Sequence, residues 1–167
     1  MSTKENLVGC KCGDNVLDVG CGKETFRPGV DGFDIVDCGQ KYIGDIEKTW
    51  PIPDNTYDFI HAWNIFEHLR NKLFVMNEAQ RVLKPGGIIE ILVPDIAKKI
   101  DLAVADPTHV SFWVKGTFND YFCGKRPGGA KYDMKKWELV ECRNYDEVSD
   151  NLIIVHMRKP NEQNKLS

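Results

Sequence analysis

The run Val16-Leu17-Asp18-Val19-Gly20-Cys21-Gly22 constrains this chain more than any other stretch. Apolar residues around a single acid read as a short buried strand, and two glycines one residue apart end it. Without side chains at Gly20 and Gly22, a ligand can approach the backbone at the strand's carboxyl end. A tight structural turn would use the same residues, so the segment after Gly22 has to discriminate. Dinucleotide binders place a third glycine at the opening of a helix that holds a pyrophosphate. Here Gly22 is followed by Lys23-Glu24-Thr25-Phe26-Arg27-Pro28-Gly29, which has no glycine at that place and no room for a long helix. A ligand without phosphates fits better.

Further short apolar runs alternate with turn signals. Residues 32–36, 42–43 and 57–63 read as a second, third and fourth strand. Leu69, Leu73, Met76, Ala79 and Leu83 recur at steps of three and four, which predicts a helix with one apolar face. Lys84-Pro85-Gly86-Gly87 is expected to end that helix, and residues 88–93 to form a strand covered on both faces. Residues 96–131 suggest helix and loop over the sheet edge. Residues 137–142 and 152–155 then pair as a hairpin around a polar turn. The expectation is a doubly wound, mainly parallel α/β sheet closed by a C-terminal antiparallel hairpin. A chain of 167 residues suits one domain, taken as 1–160, with a disordered polar tail at 161–167.

Two acidic positions add to this. Asp34, toward the end of the second strand, can accept hydrogen bonds from both hydroxyls of a ribose held over Gly20–Gly22. Asp31 and Asp37 are its rivals. Gly44-Asp45-Ile46 follows the third strand; Asp45 can accept from an adenine amino group while the Ile46 N–H reaches a ring nitrogen.

The string resembles class I S-adenosylmethionine-dependent methyltransferases over roughly residues 14 to 96. Residues 16–22 are similar to the family's first motif, and residues 44–60 to its acidic loop and fourth strand. Ile65-Phe66-Glu67-His68-Leu69 resembles the E-H-L turn of this group, and residues 78–87 the helix and turn before the fifth strand. The resemblance implies a Rossmann-like sheet and S-adenosylmethionine as cofactor. Asp18, Gly20, Cys21 and Gly22 would then lie along its methionine part, Asp34 on the ribose, Asp45 and Ile46 on the adenine. The Ala62-Trp63 backbone would face the amino group. The chain departs from the pattern in one respect: the full helix usual after the first glycine loop is replaced by a tight connection, as in a subgroup with a proline-glycine step there.

Methyl transfer is an in-line displacement at a sulfonium carbon, so positioning supplies much of the rate, and a base is needed only when the acceptor must lose a proton. His109, in Asp106-Pro107-Thr108-His109, is the candidate base or acceptor-binding group, with a structural histidine as the alternative; Thr108 could hold its ring. Asp95, at the carboxyl end of the fifth strand, is the second candidate. His68 is expected to hydrogen-bond within the E-H-L turn, and His61 and His156 to be core or surface residues. Lys115, Lys125, Arg126, Lys131, Lys135 and Lys136 form a local basic excess that reads first as a solvated loop.

These features predict transfer of a methyl group to a small molecule. The alternatives are a non-catalytic S-adenosylmethionine-binding module or a methyltransferase acting on nucleic acid or protein. Nucleic acid is disfavoured because Ala62-Trp63-Asn64-Ile65 lacks the Asn/Asp-Pro-Pro-aromatic signature of base-amine methylation, and because the net charge is −3. A nicotinamide oxidoreductase fails on the missing third glycine. The cysteines Cys10, Cys12, Cys21, Cys38, Cys123 and Cys142 show no paired metal-ligand spacing and read as structural or incidental, so no bound zinc or other metal is expected. With no apolar signal core and no run long enough to cross a bilayer, a cytoplasmic location without membrane association is expected. Oligomeric state is left open.

Overall fold

A computed structural model describes residues 10–11, 13–23, 29–124, 133–145 and 151–161. Seven strands, β1 (Val16–Val19), β2 (Asp31–Asp34), β3 (Tyr42–Ile43), β4 (Tyr57–Trp63), β5 (Leu83–Pro94), β6 (Glu138–Asn144) and β7 (Leu152–Arg158), form one sheet in the order β3-β2-β1-β4-β5-β7-β6. The first five run parallel, and β7 is antiparallel to both β5 and β6. The order reverses between β1 and β4. In open α/β sheets that switch point opens a crevice at the strands' carboxyl ends.

The sheet's two faces differ. Leu17, Val19, Ile60, Ala62, Ile89, Ile91, Val93, Ile153 and Val155 join the main core with Val75, Met76, Ala79 and Val82 of helix α1 (Lys72–Val82). Trp113, Phe118, Phe122 and Trp137 extend that core, with Trp113 stacked on Phe118 at 5.2 Å between centroids. The opposite face carries a smaller apolar cluster of Val16, Phe59 and Ile88, with Cys10 and Val30 against it. Beside that cluster runs a polar row. Pairing sets Asp18 beside His61, His61 beside Glu90, Glu90 beside His156, and His156 beside Glu141.

Several element boundaries differ from their sequence-based positions. The second strand ends at Asp34 because Asp34 Oδ1 accepts the Val36 N–H at 3.0 Å and turns the chain; Ile35 and Val36 are exposed. The helix ends at Val82, before Lys84-Pro85-Gly86-Gly87. Leu83 is already extended and pairs with Tyr57. The proline-glycine step lies inside β5, where Gly86 and Gly87 each hydrogen-bond Lys159, at 3.0 and 2.9 Å. At Gly87 a Cβ would stand 2.9 Å from the Lys84 carbonyl and 3.0 Å from that of Asp58, so glycine is required by close approach. Both hairpin strands run longer than expected. The turn at 146–150, the tail at 162–167, Cys12, Lys125, Arg126 and Lys131 lie outside the described residues. Between β5 and β6 the described chain forms a short helix α2 (Ile100–Val104) and one π-helical turn (Thr117–Phe122).

Candidate functional site

At the carboxyl end of β1 the Gly20 N–H donates to the Phe33 carbonyl at 2.8 Å, which carries the chain past β2. Gly20 and Gly22 both take positive φ, +74° and +59°. A Cβ on Gly20 would fall 2.7 Å from Ile65 Cγ1, so the loop after β4 closes directly on the glycine loop. Cys21 is buried, and burial first, then the carboxylates of Asp18 and Asp34, push its thiol up to about 11.

Asp34 ends β2 beside this loop. Its Oδ2 accepts the Gly22 N–H at 2.9 Å, and its carbonyl accepts the Gly44 N–H at 2.9 Å. Asp31 occupies the opposite end of the strand, paired with Leu17, where Lys41 Nζ (2.6 Å) and the Tyr57 hydroxyl (2.7 Å) donate to its Oδ2. Asp37 takes the Gly39 N–H in an exposed turn. Of the three acids, Asp34 is the one set against Gly20–Gly22. Asp45 begins the turn after β3, its Oδ1 accepting the Glu47 N–H at 2.8 Å. Ile46 is buried, and its carbonyl accepts Trp50 Nε1 at 2.8 Å. Ala62 and Trp63 end β4, after which Asn64 takes a positive φ of 53°. Asp18, Gly20, Cys21, Gly22, Asp34, Asp45, Ile46, Ala62 and Trp63 therefore all belong to the carboxyl ends of β1–β4 or the loops leaving them.

Glu90 is a polar centre that sequence reasoning missed. It is fully buried, accepting from His61 Nδ1 (2.9 Å) and Trp63 Nε1 (2.8 Å) at Oε1 and from His156 Nε2 (2.7 Å) at Oε2. Burial raises the carboxyl, but the hydrogen bonds from His156 and His61 outweigh it and hold the group at about 2. The signal that could have found it is an acid in the middle of Ile88-Ile89-Glu90-Ile91-Leu92-Val93, since a buried charge needs partners.

The loop after β4 forms a single 3₁₀ turn at Phe66–His68. The Val110 and Ser111 N–H groups both donate to the Glu67 carbonyl (2.9 and 3.0 Å), and Ser111 Oγ to the Phe66 carbonyl. These bonds bring two histidines together, with the His68 and His109 rings edge-to-face at 4.8 Å. Thr108 serves His68 rather than His109: its Oγ1 stands 3.0 Å from His68 Nδ1. His109 Nδ1 is instead 2.7 Å from the Ala103 carbonyl. So His68 bonds across to the next segment, not within its own turn. Glu67 is buried, its Oε2 has no hydrogen-bond partner, and burial raises its carboxyl. Asp95 is buried too, with Oδ1 accepting the Ala97 N–H (3.1 Å) and Oδ2 facing Asn144 Nδ2 (3.3 Å).

The fold just described is that of a class I S-adenosylmethionine-dependent methyltransferase. A methyltransferase-domain family model matches residues 3–124, and the chain belongs to that family. It is 34% identical over 123 residues to a sterol 24-C-methyltransferase of Gibberella zeae, covering 57% of this chain and 32% of the relative. A phosphoethanolamine N-methyltransferase of Arabidopsis thaliana is 29% identical over 122 residues, covering 58% of this chain and 24% of the relative. The chain thus spans a third or less of these two curated relatives. Among solved structures, an S-adenosylmethionine-dependent methyltransferase from Mesorhizobium loti superposes with a TM-score of 0.61 at 14% identity, covering 87% of this chain and 91% of that one. Among the described residues no helix is long and apolar enough to cross a membrane.

Proposed function

We propose that this chain transfers a methyl group from S-adenosylmethionine to a small-molecule acceptor. One observation carries the reading: the positive-φ glycines, Asp34, the Asp45–Ile46 turn and the Ala62–Trp63 strand end share the carboxyl edge of β1–β4, in cofactor order. Asp34 uses one acceptor site per oxygen on Gly22 and Val36, and a carboxylate oxygen has a second lone pair for a ribose hydroxyl. Asp45 keeps its second oxygen for the adenine amino group. The Gly20–Gly22 backbone and Cys21 line the methionine part. The Ala62–Trp63 backbone meets its amino group, with the indole fixed by Glu90.

For the acceptor, the names of the sterol and phosphoethanolamine relatives support a small molecule. The acceptor edge is formed by the loop after β4 and the segment containing His109. Asp95 shapes this edge through the turn it caps. Displacement at the sulfonium carbon needs the acceptor atom held in line, and a hydroxyl or amine acceptor also needs a group that takes its proton.

Calorimetry with S-adenosylmethionine, S-adenosylhomocysteine and NAD tests the cofactor. Binding of the first two and not the third is expected, and no binding at millimolar S-adenosylmethionine overturns the reading. A screen of hydroxyl, amine and carbon acceptors, detecting S-adenosylhomocysteine, then tests turnover. Tight binding with no turnover across the screen would favour a non-catalytic module.

A further inference from the structure

The geometry points to a divalent transition-metal site formed by Glu67, His68 and His109. One carboxylate oxygen and one nitrogen from each ring all lie within 4.8 Å of one another. Glu67 Oε2 is the independent sign of a ligand. It belongs to a residue 2% exposed and has no hydrogen-bond partner. Leaving a buried carboxylate oxygen unpartnered is costly, and a cation at this place would offset that cost.

The two rings are held as metal-binding histidines are held. Thr108 Oγ1 donates to Asp106 Oδ1 at 2.6 Å, so toward His68 Nδ1 it can only accept, and that nitrogen carries the proton. His109 Nδ1 faces the Ala103 carbonyl, which also only accepts. Both rings are therefore fixed as the tautomer whose Nε2 offers a lone pair. Such outer hydrogen bonds orient ligating imidazoles. His109 Nε2 stands 3.9 Å from Asp106 Oδ2, beyond hydrogen-bond reach. Ligands around a tetrahedral ion at about 2.1 Å stand roughly 3.4 Å apart, so small side-chain rotations close the site.

Two imidazoles and one carboxylate suit Zn²⁺, Co²⁺ or Mn²⁺ and leave coordination positions open, as catalytic rather than structural sites do. The site is carried by the same loop whose Ile65 closes on Gly20. If the chain is the methyltransferase proposed above, an acceptor hydroxyl bound to the ion would lose its proton more readily. Metal binding itself does not depend on that reading.

The test is titration of the purified chain with Co²⁺ alone, without cofactor, followed by visible ligand-field absorption and calorimetry. One equivalent is expected, without the thiolate charge-transfer band that cysteine ligation would give. Glu67→Gln and His109→Ala should each weaken binding by about 100-fold or more. Thr108→Val, which changes an exposed residue and releases His68, should weaken it by about 10–100-fold, the range for outer-shell partners. Circular dichroism confirms the fold of each variant; should the Glu67 or His109 variant fail to fold, Thr108→Val decides. No saturable binding, or binding unchanged in the folded variants, overturns the site. A thiolate band that persists in those variants would place the ion on cysteine instead.

Discussion

The Gly22 N–H donates to Asp34 Oδ2 at 2.9 Å, so the carboxylate that ends β2 also fixes the last glycine of the loop leaving β1. The acid thus shapes the loop, and in the proposed binding mode it also faces the ribose. Asp34→Ala should weaken S-adenosylmethionine binding by roughly 1.5–3 kcal/mol, the range for charge-assisted hydrogen bonds. Asp34→Asn should fall between, since its amide can keep one acceptor. Asp31→Ala, at the other end of the strand, should leave affinity unchanged and lower thermal stability through loss of the Lys41 and Tyr57 contacts. Calorimetry on the three variants checks the assignment. A larger affinity loss in Asp31→Ala would reverse it.

Gly20 answers to two constraints, a φ of +74° and Ile65 atoms at 2.7 to 3.0 Å from any added Cβ. Gly20→Ala should cost about 1–2 kcal/mol for the left-handed backbone and about 1–3 kcal/mol for the clash. Ile65→Ala should restore the second part and not the first. A double-mutant cycle in urea measures the coupling. Strict additivity would mean that the two loops are not in contact in solution.

The parallel strands are largely legible in the sequence because each is a local apolar run ended by glycine or a polar turn. β3 and β4 match their expected limits, and β1 runs directly into the glycines. Of the boundaries that fall elsewhere, two are set by a single residue's bonding. Asp34 turns the chain by accepting the Val36 N–H, and Leu83 leaves the helix to pair with Tyr57. The clusters built across the sheet are not legible. Glu90 meets His61 and His156 only through strand register, and Glu67 meets His109 only through backbone bonds to residues 110 and 111. Such partners lie far apart in sequence, and no local periodicity marks them.

Gly87 supplies a stability test independent of the site. Its neighbours, the Lys84 and Asp58 carbonyls, are backbone and cannot rotate away. Gly87→Ala should therefore strain the β4–β5 pairing and cost about 1–3 kcal/mol, the usual range for overpacking. Urea denaturation gives the value. An unchanged midpoint would show that the strand shifts without strain.

Glu90 sets the response to acid. Its carboxyl is depressed from an ordinary 4.5 to about 2 in the folded chain: burial works against ionisation, and the hydrogen bonds from His156 and His61 more than compensate. A group whose folded value lies below its unfolded one stabilises the fold fully above the unfolded value. That contribution, on the order of 3 kcal/mol, is lost as pH falls from about 4.5 toward 2. The wild-type chain should therefore lose stability through this window. Glu90→Gln should remove the part due to this carboxylate and flatten the acid limb of a stability–pH curve. It should also lower stability at neutral pH, because one amide cannot accept from His61, Trp63 and His156 as the carboxylate does. Denaturant melts at a series of pH values on the two proteins give both quantities. An equally steep acid limb in Glu90→Gln would assign the acid sensitivity to other carboxylates, such as Glu78 and Asp58, which Arg81 and Lys84 hold below their ordinary values.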